Sequence, residues 1–566
     1  MYRKRVLHGV ALVLACAGIP TASAQVPGIP LQQDPADRLL REQVERERQE
    51  RLEQQPPDIS VPAESAPDAA MAPESIADPE PAFLIERIVL TGNTVLPEAQ
   101  AQRITLPFAG KRLGVNRIDL LLRRLTQAYI ESGFITTRAY VGNQNLASGT
   151  LEITVIPGRI ENFRYNGMDL APGEPPAAGV GAAFPTNPGQ VLKLADLEQG
   201  VGQINRLRRN QAELQILPGE SPGGSVVAID NREGDRFFYT LGVDNFGTAN
   251  TGQSRYRAGI EAGNLTGWQE ALSLTYLGSL DSNALLFAAS VPAGYDTWSY
   301  SYSYSEFQNL IGDTALLFGQ TSAHILAWNR VLGLAHRGKS SVDMSLGLRD
   351  ARREVNGIQL EPQQLAVLRG GYGRLQRFAI GNIPGHWLVD VGYSRGLNAL
   401  GATVDADSLP NEGAHAQFDK VDLSATLVAQ VHPAWTYRAA FAGQWAREAL
   451  FSSEHIFIGG AGTVRGYAEG ALVGERGGFL RNEMLFAAAA PLFAERLRIE
   501  PFAFLDGGLV QLVAEGKWQH LVGTGVGVRA AVGGVAVEVM FAEPLRYPNT
   551  LTDAGFRIHA SLNATF

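Results

Sequence analysis

The feature that most narrows the choice of fold is the alternation of the last segment. Phe556, Ile558, Ala560, Leu562, Ala564 and Phe566 alternate with Arg557, His559, Ser561, Asn563 and Thr565. Trp298–Ser305 repeats the pattern more sharply, as W-S-Y-S-Y-S-Y-S, with aromatics at even positions and serines at odd ones. Period two sends successive side chains to opposite faces of a strand. In a soluble sandwich the apolar face would be the core; in a membrane barrel it meets lipid while the hydroxyls meet water. Length decides between the two. Eleven residues rising ~3.3 Å each and tilted ~45° cover roughly 25 Å, the height of an outer-membrane apolar band.

About sixteen comparable segments follow one another from Phe237 to Phe566, an even number, as bacterial barrels require. Ala351–Gln376 and Leu397–Gln417 break the alternation. The expected fold is a transmembrane antiparallel β-barrel over residues 233–566, large enough to enclose an aqueous channel. The 62 glycines suit turn-rich β structure, and no apolar run after the first thirty residues approaches the ~18 that a spanning helix needs.

One stretch inside this region does not alternate. Ile456–Glu469 reads I-F-I-G-G-A-G-T-V-R-G-Y-A-E, with Gly459, Gly460, Gly462 and Gly466 permitting irregular backbone around one guanidinium, Arg465. A charged loop between lipid-facing strands must either stand outside the membrane or fold into a polar lumen. Further on, Phe504, Asp506 and Gly508 share a strand face with Glu500, which places them on the polar, inward side. An arginine inside a lumen needs an acidic partner. Gly507 and Gly508 would let a loop tip approach that wall closely.

Residues 1–24 read as a secretory signal, with Arg3, Lys4 and Arg5 before an apolar run and Ala22-Ser23-Ala24 as the cleavage site. A lipoprotein reading of Val13–Cys16 is the weaker alternative, because Leu14 is bulky. Cleavage after Ala24 removes the single cysteine, Cys16, and excludes disulfides. It also takes three basic residues from a chain whose formal net charge is already −9, which argues against nucleic-acid binding. Residues 25–55 hold a helix-forming run, Asp37–Gln55, that is polar nearly all round. A solvated, partly frayed helix is its first reading and a plug in an aqueous channel its second. Residues 56–81 carry seven prolines, six acids and no base, an extended linker.

Two small α/β modules precede the barrel, at 82–157 and 158–232. The first shows a strand at Leu84–Leu90, a short helix after Pro97, a longer one capped by Asn116, and strands at Ile135–Val141 and Gly149–Ile156. The second shows a strand at Ile160–Tyr165 and a helix over Ala195–Leu207 with the stripe Leu194, Leu197, Val201, Ile204 and Leu207. Strands at Gln211–Leu217 and Ser225–Ile229 complete it.

Tandem modules of this plan look like polypeptide-transport-associated (POTRA) domains. With them, the chain resembles the outer-membrane transporters of two-partner secretion, the TpsB family of haemolysin-secretion/activation type. The resemblance rests on Gly133–Tyr140, Asn205-Arg206-Leu207, Asn210-Gln211-Ala212, Leu217–Glu220 and Val291–Tyr295, and on the order helix, linker, two modules, barrel. Val464-Arg465-Gly466-Tyr467 looks like the tip of the family's sixth extracellular loop, which folds back into the lumen. Phe504-x-Asp506-x-Gly508 looks like its partner motif on the barrel wall. The resemblance implies that the two pair, and that the periplasmic modules bind an unfolded exoprotein, an adhesin or haemolysin with an N-terminal secretion domain. The groove beside Leu197, Val201, Ile204 and Leu207 is the candidate surface. The terminal Phe566 resembles the signal by which barrel-assembly machinery recognises a barrel for insertion into outer-membrane lipid. An outer-membrane insertase of the same superfamily is the alternative, though such relatives carry three or more modules and no charged helix. The nine histidines are scattered, with no H-E-x-x-H, and no G-x-S-x-G nucleophile elbow between a strand and a helix is seen. Neither catalysis, cofactor nor metal is expected.

Overall fold

The structure is a computed structural model that describes residues 35–53, 76–170, 177–311, 314–335, 337–486 and 497–566. The segment read as a secretory signal and most of the proline-rich linker lie outside the described residues.

The first module packs helices Glu98–Thr105 and Val115–Glu131 on small sheets, with Leu121, Leu125 and Tyr129 fully buried. Three local expectations need correction. The strand expected over Leu84–Leu90 breaks at Glu86. Phe83–Ile85 pairs with Lys111–Leu113, while Arg87–Thr91 pairs in parallel with Thr150–Ile156. The strand expected over Ile135–Val141 is reduced to Arg138–Tyr140. The long helix is capped at Gly114, not Asn116: the Asp78 carboxylate accepts from the N–H groups of Gly114 (2.8 Å) and Arg117 (3.0 Å). An acid from the linker thus satisfies the donors that a helix N-terminus leaves free, where its charge is also favourable.

The second module has a four-stranded sheet in the spatial order Met168–Asp169, Arg159–Tyr165, Gly224–Glu233, Asn210–Pro218. Helix Leu194–Asn205 lies on it beside a short helix, Ala177–Ala183, whose small residues gave no readable period. The two sides of this sheet differ as edges. Arg159–Tyr165 is tied off by Met168–Asp169 and by bonds to Gln190, Gly189 and Leu170. Asn210–Pro218 pairs with Gly224–Glu233 on one side; on the other the Asn205 amide takes the N–H and C=O of Ala212, and no described strand pairs there.

Sixteen long antiparallel strands close the barrel, from Phe237–Asp244 to Arg557–Thr565, with Ile358–Gln359 as the tip of one hairpin. The seam joins Thr240–Asp244 to Ser561–Thr565. Ala351–Gln376, read as irregular, is a regular part of this wall. On one side residues 351–355 pair with 317–321, and on the other residues 363–366 run past the neighbouring strand, whose ladder stops at Gly396. Leu397–Gln417 is a loop, as its pattern suggested. Trp298 and Tyr300 are exposed on the outer face, while Ser301, Ser303 and Ser305 are buried on the inner one. The aromatics therefore stand where lipid would be.

Helix α1 (Pro35–Glu53) stands inside the bore. Leu39 and Leu40 pack on Leu277, Ala284, Leu286 and Ala323, and Leu52 packs on Leu375 and Leu388. Between these ends Ser424 donates to Glu45 (3.2 Å) and Arg48 meets Asp390 (3.0 Å). The solvated reading is overturned for a physical reason. A mostly polar helix cannot fill a greasy core, but it fits a wall whose inward side chains are themselves polar with two apolar patches.

Candidate functional site in the barrel bore

The sixth loop on the side away from the modules, between strands Trp435–Ala446 and Arg476–Phe486, turns back into the barrel. Its stem is a short hairpin, Ile456–Ile458 with Leu472–Gly474, packed through Ile456, Ile458, Val464, Tyr467 and Leu472 on Val510 and Leu521 of the wall. At its tip Gly466 holds φ at 98°, which a residue with a Cβ adopts only under strain.

Arg465 is fully buried. Its guanidinium grips Asp506 with two bonds, Nε to Oδ2 (2.6 Å) and Nη2 to Oδ1 (2.8 Å), and its Nη1 donates to Glu483 (2.6 Å). Its Cζ lies 3.7 Å from the centre of the Phe504 ring. A planar fork matched by a carboxylate, over an aromatic face, is the arrangement for which arginine is suited and lysine is not. Tyr467 Oη sits 2.6 Å from the Val522 carbonyl and 2.9 Å from that of Arg546, where the ladder between these strands shifts register.

Glycines make the approach possible. A Cβ on Gly508 would lie 2.9 Å from Val464, and one on Gly523 only 1.9 Å from the Arg465 carbonyl. Gly525 and Gly527 leave room in the same way for the rings of Phe504 and Phe502. The run Gly523-x-Gly525-x-Gly527 is thus a groove in the wall for the loop tip and its aromatic floor.

All seven lock residues read from the sequence meet here: Val464, Arg465, Gly466 and Tyr467 on the loop, Phe504, Asp506 and Gly508 on the wall. Sequence reading missed Glu483, which also receives Arg529 (3.0 Å) and Arg481 (3.1 Å). Parity held the clue, because Glu483 lies directly across from inward Phe504. Nothing in the one-dimensional pattern said that strand Arg476–Phe486 would be Phe504's neighbour. The loop's base also touches the helix: Arg41 Nη1 of α1 donates to the His455 carbonyl (2.8 Å).

The four second-module residues offered as a groove stand elsewhere. Leu197, Val201 and Ile204 are 0% exposed, sealed between helix and sheet, and Leu207 is 2% exposed beside Gly263 at the end of barrel strand Arg255–Gly263. The stripe that reads as a groove is what glues the helix down, so these side chains present no surface to a passenger. The helix's other face meets the barrel. Gln199 and Gln203 donate to the Gly294 carbonyl (3.1 and 3.0 Å), and Tyr295 donates to Asp196 (2.5 Å).

Residues 223–530 match the family model for the haemolysin secretion/activation proteins ShlB/FhaC/HecB. Residues 83–158 match a POTRA domain of ShlB type, and 159–218 a further POTRA domain. The chain is 30% identical over 499 residues to the outer membrane transporter CdiB of Escherichia coli, covering 85% of this chain and 82% of that one. It is 27% identical over 413 residues to the hemolysin transporter protein ShlB of Serratia marcescens, at 71% of each. The solved structure of CdiB from Escherichia coli superposes with a TM-score of 0.84 at 25% identity, covering 94% of this chain and 99% of the other. With its closed barrel, its two periplasmic POTRA domains and these matches, the chain belongs to the haemolysin secretion/activation family, the outer-membrane translocators of two-partner secretion.

Proposed function

We propose that the bore is the path of an unfolded exoprotein and that α1 is its removable stopper. The observation that carries this reading is the kind of contact that holds α1. Small apolar patches grip its ends, while a hydrogen bond and an ion pair to the wall, Ser424 to Glu45 and Arg48 to Asp390, hold its middle, and the proline-rich linker follows its periplasmic end in sequence. Polar contacts of this kind can be traded for those of another chain, which a close-packed apolar core does not allow. A passenger first adds a strand to a free sheet edge, and Asn210–Pro218 of the second module is the edge with an unpaired side. Main-chain bonding of this kind needs little sequence specificity. The passenger is a secreted adhesin or haemolysin with an N-terminal secretion domain. It enters the bore as α1 withdraws and passes the loop held by Arg465 and Asp506. We assign the protein no catalytic step and no cofactor; folding of the passenger outside the cell supplies the driving force.

The test is to delete Pro35–Glu53 and record conductance in planar bilayers. A stopper predicts a larger and steadier conductance than that of the intact protein. Equal conductance would overturn the reading. Placing a photo-cross-linking residue at exposed Gln215 tests the edge: capture of the exoprotein there, and not from a site on the first module's helix, is expected.

A further inference from the structure

Away from the loop lock, the bore wall carries a second charged constellation. Asp343, Arg369, Asp390 and Asp422 come from four consecutive strands, Gly338–Val355, Gln363–Ile380, Ile383–Gly396 and Asp419–His432. Arg369 holds the group together. It donates to Asp343 (2.7 Å), to Asp390 (2.7 Å) and twice to Asp422 (2.7 and 3.2 Å). Two glycines leave its guanidinium flat against the wall. A Cβ on Gly392 would lie 2.1 Å from Arg369 Nη2, and one on Gly371 2.6 Å from its Nη1. The wall thus holds three carboxylates against one guanidinium.

Helix α1 brings a second one. Arg48 Nη1 lies 3.0 Å from Asp390 Oδ1 and donates to Glu45 of its own helix (3.0 Å), and its Nε is 4.0 Å from Asp343. Asp390 is 1% exposed, and its Oδ2 has no hydrogen-bond partner among the described residues. That oxygen faces the gap between Gly373 and Leu52 of α1. A buried carboxylate stripped of a cation is costly. When α1 leaves, Arg48 and Glu45 go together, and the wall keeps its three acids with Arg369 alone among them.

We propose that this constellation is a guanidinium-binding seat, filled by Arg48 at rest and taken over by an arginine side chain of the passenger when α1 withdraws. The inference rests on the reading that α1 is removable, and it names the chemistry of the group that replaces it. Arg48 meets Asp390 through Nη1 at 3.0 Å and approaches Asp343 through Nε at 4.0 Å, a spread along one planar fork that favours arginine over the compact ammonium of lysine. Exchange of one guanidinium for another lets the helix leave without an uncompensated acidic wall.

The probe is N-acetyl-arginine amide, with N-acetyl-citrulline amide as the neutral isostere, followed by saturation-transfer NMR on the full chain in detergent. The Arg48→Gln protein should bind the arginine probe, and wild type at least tenfold more weakly because its seat is occupied. The citrulline probe should bind neither, and Arg48→Gln/Asp390→Asn should lose the signal. Equal binding by wild type and Arg48→Gln, or equal binding of both probes, would overturn the proposal. The citrulline comparison needs no change to the wall, so it decides the matter even if the double variant fails to assemble. Bilayer conductance of Arg48→Gln separates the two readings. Raised conductance without arginine binding removes the seat and keeps the stopper; arginine binding without raised conductance does the reverse.

Discussion

Arg465 is a charge with no water around it, so its partners decide what happens when it is changed. Removing one member of a buried ion pair leaves the others uncompensated and typically costs about 3–5 kcal/mol. Arg465→Ala leaves Asp506 and Glu483 facing each other's charge, with Arg481 and Arg529 still on Glu483. The expected outcome is a closed barrel in which the heat-induced mobility shift occurs at a lower temperature and exoprotein export falls. Arg465→Lys should behave nearly as badly, because an ammonium cannot make the two-bond grip on Asp506. Gly523→Ala tests the same lock without touching a charge. Its Cβ would sit 1.9 Å from the Arg465 carbonyl, so the loop tip must lift and export should fall as in Arg465→Ala. Export at the wild-type level in Gly523→Ala would show that the tip need not seat. At this scale most of the lock was legible in the sequence. A lone arginine in a glycine-rich loop and an aspartate of inward parity are local signals. Glu483 was not legible, because it joins the group only through the pairing of strands distant in sequence.

Among the elements, α1 and the helix Leu194–Asn205 each sit between two partners. For α1 the residue pattern misled, since Leu39, Leu40, Val44 and Leu52 alone among the nineteen residues Asp37–Gln55 are apolar, which looks like a solvated helix until the wall supplies its own two apolar patches. Leu52→Ala should weaken its periplasmic seat by about 2 kcal/mol. If the helix is in equilibrium with the open bore, this multiplies the open population roughly thirtyfold, which single-channel recording reads directly. An unchanged open fraction would mean that Leu52 packs without holding. For the second-module helix the apolar stripe was legible, yet its meaning was inverted. The stripe faces its own sheet, and the polar face carrying Gln199 and Gln203 docks on the barrel. Burial beside this junction pushes the Glu198 carboxyl up to about 6. A carboxyl whose folded value is raised stabilises the fold when protonated. The junction should therefore tighten as pH falls from about 8 through 6 and loosen as it rises. Hydrogen exchange at Gly294–Asp296 should slow at pH 5.5 relative to pH 8, after correction for intrinsic rates. Glu198→Gln should abolish that difference, and a difference that persists in Glu198→Gln must come from another group.

Across the whole molecule, the barrel was the most legible part. Lipid outside and water inside impose period two on every strand, and the count of sixteen follows from chain length and strand length. What the pattern could not show is what fills the bore. The loop lock and α1 are both long-range insertions into a water-lined space, and no local periodicity records them. They also touch, through Arg41 and the His455 carbonyl, so helix exit and loop position share one contact.

The most direct test of the central claim, that α1 must leave the bore for export, is to tie it to the wall. Glu45 and Ser424 lie in contact, and the only native cysteine is Cys16 in the signal-like segment. In Glu45→Cys/Ser424→Cys cells, bridging the two thiols with a short reducible bis-methanethiosulfonate should stop exoprotein export, and dithiothreitol should restore it. Full export from cells in which the bridge has demonstrably formed would contradict the account.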